Sequence, residues 1–597
     1  MNVNKITDAM NKSLSLLERQ EIMFKRLETQ IPAINPMLYG SDSYKMSHIK
    51  FETNGVKEIY SNFTARFAKY LEQLLGEAFD GKYVVFGIQW MLMRLHMMLK
   101  KGFFDRPKAE VIEEMRSVLT PYIGHDKYDH FEKLHDLGYL PVVIRTLDEG
   151  SVVNVGIPCL TIRNTVPEFE WLPNFLETLI STDSWKQLTV ATIARAFRRI
   201  SNKFALETTG SIDGTEWQNH DFSCRGQSGL ESSSINGVAF LISSCGTDNL
   251  SALWACENFY NASVKDEKLL AGSVSAGEHS VTTLGILTEQ ERAERNGETI
   301  DIIEAEYRYK RWLLTERFPT GIVSDVADSF DYWSYVTESV PRLKDLIMSR
   351  DGKYVVRGDS GNPVHIIAGY RIINLSNKEF KTIENALDFS HDWLDPQTDE
   401  VVYLGGKYFL LNTQFNSDGS VQGFNYEEIQ SYEAHGTIEC LWDIFGGTVT
   451  EQGYRVLDSH IGMIYGDGIT VQRSQDILTR LKDKGLASIN IVFGVGSYSL
   501  NMISRDHLGM AIKATNAIVD IDGKIVDKPI YKDPKTDSTK KSARGLISVH
   551  KDENGEYTLK DMCSRKAEEV GELTVAYMNG QFHKLTDLHT IREKVWG

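Results

Sequence analysis

Residues 355–363 read "VVRGDSGNP". Three readings of this stretch compete. Gly-Asp-Ser-Gly resembles the nucleophile loop of chymotrypsin-like serine proteases. Arg-Gly-Asp resembles a cell-adhesion tripeptide. A β-branched run ending in Arg, Asp and two glycines also reads as a strand that delivers polar groups to a ligand. The protease loop continues Gly-Asp-Ser-Gly-Gly, whereas here Asn362 follows Gly361, and no upstream histidine sits in an Ala-Ala-His-Cys context. An adhesion tripeptide needs an extracellular protein and an exposed loop tip. A short motif without its context decides little, so the third reading depends on companions elsewhere in the chain.

The companions exist. From about residue 215 short apolar runs end repeatedly in Gly, Asp, Ser or Glu: "HDFSCRG" (220–226), "SSCGTD" (243–248), "SVSAGEHS" (273–280), "GIVSDVAD" (321–328), "MIYGDGIT" (463–470) and "IVFGVGS" (491–497). Helical segments such as "DYWSYVTESVPRLKDLIM" and "TVQRSQDILTRLKDKG" lie between several of them. Alternating strand and helix predicts a parallel sheet, and polar residues at the carboxyl ends of such strands are what a barrel active site needs. Strand termination by Gly and Asp explains any one of these ends. It explains all seven poorly, because several also carry Arg, His or paired Asp.

The chain has 597 residues, a prior of roughly four domain-sized units that a large barrel would lower. Its net charge of −17 disfavours nucleic acid and anionic membrane as partners, so a phosphate-bearing ligand needs a local basic pocket. Cys159, Cys224, Cys245, Cys256, Cys440 and Cys563 are scattered, with no C-x-x-C pair and no metal-ligand spacing. That predicts a reducing, cytoplasmic setting. There is no apolar signal-peptide region near the N-terminus and no apolar run long enough to span a bilayer.

The expected organisation has an N-terminal helical extension over 1–30 and an α+β domain over 31–180 completed by 500–597. An α/β barrel-like domain covers 181–499 with an insertion at 366–435. In that insertion "VVYLGGKYFLL" reads as a hairpin turning at Gly405-Gly406.

The chemistry sits in the strand ends. Glycines after "MIY" and "IVF" permit backbone amides to approach a phosphate. Asp325, Asp359 and Asp467 each follow an apolar run, where carboxylates can bind ribose hydroxyls or Mg²⁺; capping a helix is the alternative for Asp325. His279, in "SAGEHS", reads as a general base or as a nucleophile that becomes phosphorylated. Lys532, Lys535, Lys540, Lys541 and Arg544 form a basic loop. It is either a solvated surface or a clamp for pyrophosphate.

"DSYKMSH" (42–48), "HDFSCRG", "GTDN", "SVSAGEHS", "GIVSD", "RGDSGNP", "GDG", "FGVGS", "SRD" and "KDP" occur in the order found in one family. The chain resembles the nicotinamide phosphoribosyltransferase family from about residue 36 to the end, apart from the insertion. The resemblance implies an irregular (β/α) barrel-like type II phosphoribosyltransferase domain plus a sheet-rich α+β domain. It implies transfer of phosphoribosyl from 5-phosphoribosyl 1-pyrophosphate to nicotinamide, with Mg²⁺ held mainly through pyrophosphate and ATP as co-substrate. It also implies a homodimer with shared active sites.

By the same resemblance, Phe222 and the partner subunit's Tyr44 would sandwich the nicotinamide ring, and Asp248 would accept its amide N–H. Arg225 and Arg357 would hold the ring and ribose, Asp359 would bind ribose hydroxyls, and Asp325 would orient His279, the phosphorylated histidine. Gly466, Asp467, Gly496 and Ser497 would bind ribose and 5′-phosphate. Arg66, Arg505, Lys513, Lys532 and Lys540 would face phosphate and pyrophosphate. Gly358, Ser223-Cys224, Gly462 and Ser497 depart from the pattern of animal members, which puts the contacts near Gly462 in question. The rival readings are a nicotinate phosphoribosyltransferase, against which Asp248 argues, and a non-catalytic binding or signalling protein with the same fold, against which the set His279, Asp325, Arg357 and Asp359 argues.

Overall fold

The computed structural model describes residues 16–28, 34–376, 380–387, 400–418, 420–531 and 543–597. The seven strand ends legible in the sequence belong to seven parallel strands of one sheet. They are β1 (Asn219–Asp221), β2 (Gly246–Thr247), β3 (Ser275–Ala276), β4 (Val323–Val326), β5 (Tyr354–Gly358), β6 (Ile461–Tyr465) and β7 (Ile491–Val495). Their order is β2-β1-β7-β6-β5-β4-β3. The two edges then meet. Gly246 bridges Gly272 in parallel. Thr247 N–H donates to the Gly272 carbonyl at 3.1 Å, and Gly272 N–H donates to the Cys245 carbonyl at 2.8 Å. Gly272 leads directly into β3, so the sheet closes into a barrel and neither edge is left unpaired.

The opening stretch fits this frame residue by residue. The run 354–358 is β5. Gly361 turns the chain at φ +90°, a conformation that favours glycine. Asn362 then caps the helix Pro363–Ala368 by accepting the Val364 N–H, with Pro363 at the first helical position.

Register decides which side chains see the lumen. Val356 of β5 lies beside Asp325 of β4 and Met463 of β6, and all three are buried on the helix-facing side. Arg357 lies beside Val326 and Ile464, on the opposite face. Asp325 therefore points out of the barrel wall into the helical layer. Its carboxylate accepts from Lys310 Nζ at 2.8 Å and Thr282 Oγ1 at 2.6 Å, with all three side chains fully buried. The expectation that Asp325 orients His279 is corrected by this geometry. Gly462, the second residue of β6, lies at the amino end of its strand beside Lys353, not at the mouth where ribose and phosphate contacts were expected.

A seven-stranded antiparallel sheet draws on both ends of the chain. Its order is Lys524–Pro529, Met510–Ile521, Val56–Ala65, Pro158–Asn164, Val142–Thr146, Thr574–Met578 and Gln581–Phe582. The helix Leu16–Leu27 packs on it through Phe24, whose ring meets Phe582 edge-on and stacks on His96, and Leu27 is fully buried. Within the insertion, Glu400–Leu404 and Lys407–Phe415 form the expected hairpin, with Gly405 and Gly406 at φ +60° and +86°. That sheet has a small core of its own around Leu375, Val402 and Leu411.

Glu306 lies beside the Lys310–Asp325 pair, fully buried and with neither carboxylate oxygen hydrogen-bonded. Burial pushes its carboxyl up from 4.5 to about 7, an effect that nearby Asp325 reinforces and Lys310 opposes. The folded state then binds this proton more tightly than the unfolded chain. Stability from this group is present below pH 4.5 and is lost as pH rises through 7. Glu306→Gln is expected to leave the thermal midpoint near that of the parent at pH 5 and to raise it at pH 8, by a stability gain of about 1–3 kcal/mol. Paired melting curves at the two pH values measure this.

Candidate active site

The carboxyl ends of the strands converge on Phe222. Its N–H donates to the Val495 carbonyl at 3.0 Å, which continues β1 alongside β7. Its ring lies against Gly466 and Gly494, where added Cβ atoms would fall 3.5 and 2.3 Å away. The two glycines are thus the space in which the ring sits. The Arg357 guanidinium lies 5.9 Å from the ring centroid. It also donates to the Gly277 carbonyl at 3.3 Å and lies 3.6 Å from the Asp359 carboxylate. Its buried Nε has no partner, so a strong donor remains unused at the mouth.

His279 opens the helix His279–Arg295, and its Nε2 lies 2.8 Å from Asp328 Oδ1. Asp328 also accepts from Ser360 of the opening stretch. The imidazole partner is thus Asp328, three residues beyond Asp325 and past the end of β4. Asp359 is half-buried near Arg357, Asp328, His279 and Asp467. Burial raises its carboxyl above the usual range; Arg357 pulls it down, and Asp328 and Asp467 push it further up.

On the rim, exposed Asp248 accepts from the Ser273 hydroxyl, and its N–H donates to the Asp221 carbonyl at 3.1 Å, next to Phe222. The loop after β7 closes on the loop after β1: a Cβ on Gly226 would lie 2.0 Å from Ser497 Oγ, while around Gly496 the space is open. Asp467 is exposed after β6, in a loop whose Gly468 carbonyl accepts from Arg473 at 2.6 Å. Arg225 is exposed.

Of the remaining expected residues, Tyr44, Arg66, Arg505 and Lys513 form a second group in and beside the antiparallel sheet. Tyr44 is 57% exposed and makes no ring contact with Phe222 within the chain. Its hydroxyl is shifted up by burial and by the charges of Glu177 and Asp42. Glu177 bridges Lys513 at 3.3 Å and Lys45 at 2.9 Å. Arg66 donates to the Gly509 carbonyl at 3.0 Å, and its pKa is lowered by burial and by Arg505. Lys532 and Lys540 lie outside the described residues.

Asp328 and Ser273 were missed in the sequence. "VADS" was a usable signal, being a second Asp-containing end to the same apolar run. Ser273 had none beyond its place before "SAGEHS".

The model of the nicotinate phosphoribosyltransferase (NAPRTase) family matches residues 217–567, which contain all seven barrel strands and this mouth. The chain belongs to the nicotinate phosphoribosyltransferase family. It is 37% identical to a nicotinamide phosphoribosyltransferase of Acinetobacter baylyi, over 94% of this chain and 97% of that one. It is 29% identical to one of Mycoplasma pneumoniae, over 85% and 94%. Among solved structures, a nicotinate-nucleotide pyrophosphorylase from Pyrococcus furiosus aligns over 95% of this chain and 96% of that chain, at 12% identity and a TM-score of 0.45.

In this phosphoribosyltransferase the Phe222 ring depends on the absence of a side chain at position 494. Gly494→Ala places a methyl 2.3 Å from the ring. It is expected to displace the ring and lower phosphoribosyltransferase kcat/KM about tenfold or more, since small misplacements at a reacting centre are costly. Steady-state kinetics alongside a melting curve separate this from loss of fold.

Proposed function

We propose that the protein transfers the phosphoribosyl group of 5-phosphoribosyl 1-pyrophosphate to nicotinamide, giving nicotinamide mononucleotide and pyrophosphate in NAD salvage. The observation that carries the choice of base is Asp248 on the rim of the barrel mouth, where its N–H donates to the carbonyl of Asp221, the residue before Phe222, and its carboxylate accepts from Ser273. Phe222 offers an aromatic surface to a flat heterocycle. Asp248 is set to accept the carboxamide N–H. Nicotinate would bring a second carboxylate against Asp248, a like-charge contact costing several kcal/mol. The names carried by the relatives agree with this choice.

In the proposed step the pyridine nitrogen forms a bond to ribose C1′ as the bond from C1′ to pyrophosphate breaks, its electron pair leaving with pyrophosphate. Asp359 faces the ribose hydroxyls, and Arg357 and Arg225 position ring and ribose. Cations that meet the leaving group stabilise its departure. Among the described residues no group of three His, Cys, Asp or Glu side chains could hold a metal ion. We assign Mg²⁺ to the donor's pyrophosphate, whose oxygens are the hard ligands it prefers. Tyr44 and the cations Arg66, Arg505 and Lys513 make most sense as contributions across a homodimer interface, with the partner subunit's Tyr44 closing over the ring. A cytoplasmic location suits these substrates; among the described residues no helix is long and apolar enough to cross a membrane.

His279 is the proposed acceptor of a phosphoryl group from ATP. Donation from Nε2–H to Asp328 leaves the lone pair on Nδ1, the nitrogen that would attack the γ-phosphorus and release ADP. Asp328→Asn is expected to bring the ratio of ATP-stimulated to basal turnover close to one. Asp325→Asn is expected to lower the melting temperature and leave that ratio near the parent's in the folded fraction.

Side-by-side turnover of nicotinamide and nicotinate, with and without ATP, tests the reaction. Nicotinamide is expected to be preferred by about a hundredfold or more in kcat/KM, and Asp248→Asn to narrow the gap. Faster product formation from nicotinate would reverse the assignment, and no product from either base would refute it.

A further inference from the structure

Lys186, the second residue of the helix Trp185–Thr209, lacks the carboxylate partner that several other lysines withdrawn from water have. Lys45, Lys310, Lys484 and Lys584 each meet a carboxylate, of Glu177, Asp325, Glu439 and Asp148, at 2.8–3.2 Å. The Lys186 ammonium is half-buried and donates to three neutral oxygens: Gln227 Oε1 at 3.4 Å, Ser232 Oγ at 3.3 Å and Asn501 Oδ1. Among the described residues it has no carboxylate within ion-pair distance. Burial alone lowers its pKa, with no opposing charge contributing. Holding an uncompensated cation in this way costs stability, and such local costs concentrate at functional sites.

Its position gives the cost a purpose. Gln227 lies in the loop after β1, Ser232 on the helix Leu230–Leu241 that follows, and Asn501 at the end of the turn Ser497–Asn501 after β7. Asn501 Nδ2 donates to the Gly226 carbonyl at 3.0 Å, and Gly226 presses directly on Ser497. Gln227 in turn donates to Ser223, beside Phe222, at 3.0 Å. The ammonium therefore sits behind the wall where the β1 and β7 loops meet, and on that wall the space around Gly496 is open. Every group that fixes it there is neutral, so its charge remains available to a ligand on the far side of the wall.

We propose that Lys186 is a donor-selecting cation: its fixed, uncompensated charge is neutralised when the 5′-phosphate of the phosphoribosyl donor occupies the cradle formed by Gly226, Gly496 and Ser497. The assignment rests on the reaction proposed above for what fills the cradle. It adds a residue that neither the sequence motifs nor the contacts at Phe222 single out.

The test measures ribose 5-phosphate binding by calorimetry across a range of salt concentrations, together with the KM of each substrate. Lys186→Gln retains hydrogen-bonding capacity and removes the charge. It is expected to raise the Kd for ribose 5-phosphate and the KM for the donor about tenfold, the scale of one partly screened charge pair. It should also flatten the salt dependence of binding and leave the KM for nicotinamide within about twofold. Lys186→Arg should restore most of the binding. Ser232→Asp offers the ammonium a carboxylate in place of a hydroxyl, and it should weaken ribose 5-phosphate binding with Lys186 still present, even where Lys186→Gln fails to fold.

Parent-like ribose 5-phosphate affinity and salt dependence in Ser232→Asp, or in folded Lys186→Gln, would overturn the proposal. So would an equal loss for both substrates, the mark of a purely structural role. Lack of turnover by the parent would count against the reaction and not against Lys186, whose assignment is decided by the binding arm.

Discussion

Successive side chains on a β-strand point to opposite faces, and in a closed parallel barrel those faces are a lumen and a helical layer. This alternation governs the whole molecule. It sends Arg357 inward and Val356 outward from adjacent positions, and it lets glycines at 466 and 494 vacate the volume that the Phe222 ring takes. It also separates two aspartates of one short run by role. Asp325 is an outward residue, neutralising Lys310 inside the wall; Asp328 lies past the strand, where the chain is released from the pleat and its carboxylate can reach His279.

The parts of the site that were legible in the sequence are those where a β-branched run ends in a polar cluster. All seven barrel strands were marked in this way, including two of only two residues, Gly246–Thr247 and Ser275–Ala276, which periodicity alone would not show. The choice between Asp325 and Asp328 was not legible. A strand's parity depends on the residue at which it joins its neighbours, and "VSDVADS" permits either. Gly462 was misplaced for a related reason: a motif gives order along the chain but not depth along a strand. Lys186 was silent because nothing in "DSWKQL" shows that its neighbours in space are all neutral.

The expected site residues fall into two groups. The barrel supplies the aromatic surface, the acid residues and the histidine. Tyr44, Arg66, Arg505 and Lys513 lie in and beside the antiparallel sheet, where they meet Glu177 and one another within the chain, not Phe222.

The antiparallel sheet has one more consequence, for the birth of the protein. The strand Val56–Ala65 pairs with Met510–Ile521, and Val142–Thr146 with Thr574–Met578, so the ladder unites segments more than four hundred residues apart. At ribosomal rates of about 5–20 residues per second, the earliest strand waits roughly 20–90 seconds for its partner to be made. Contacts of such separation slow folding, and an unpaired strand in the interval invites wrong pairings. The barrel, whose strands all lie between residues 219 and 495, can close first and hold the two halves of the sheet in reach of each other.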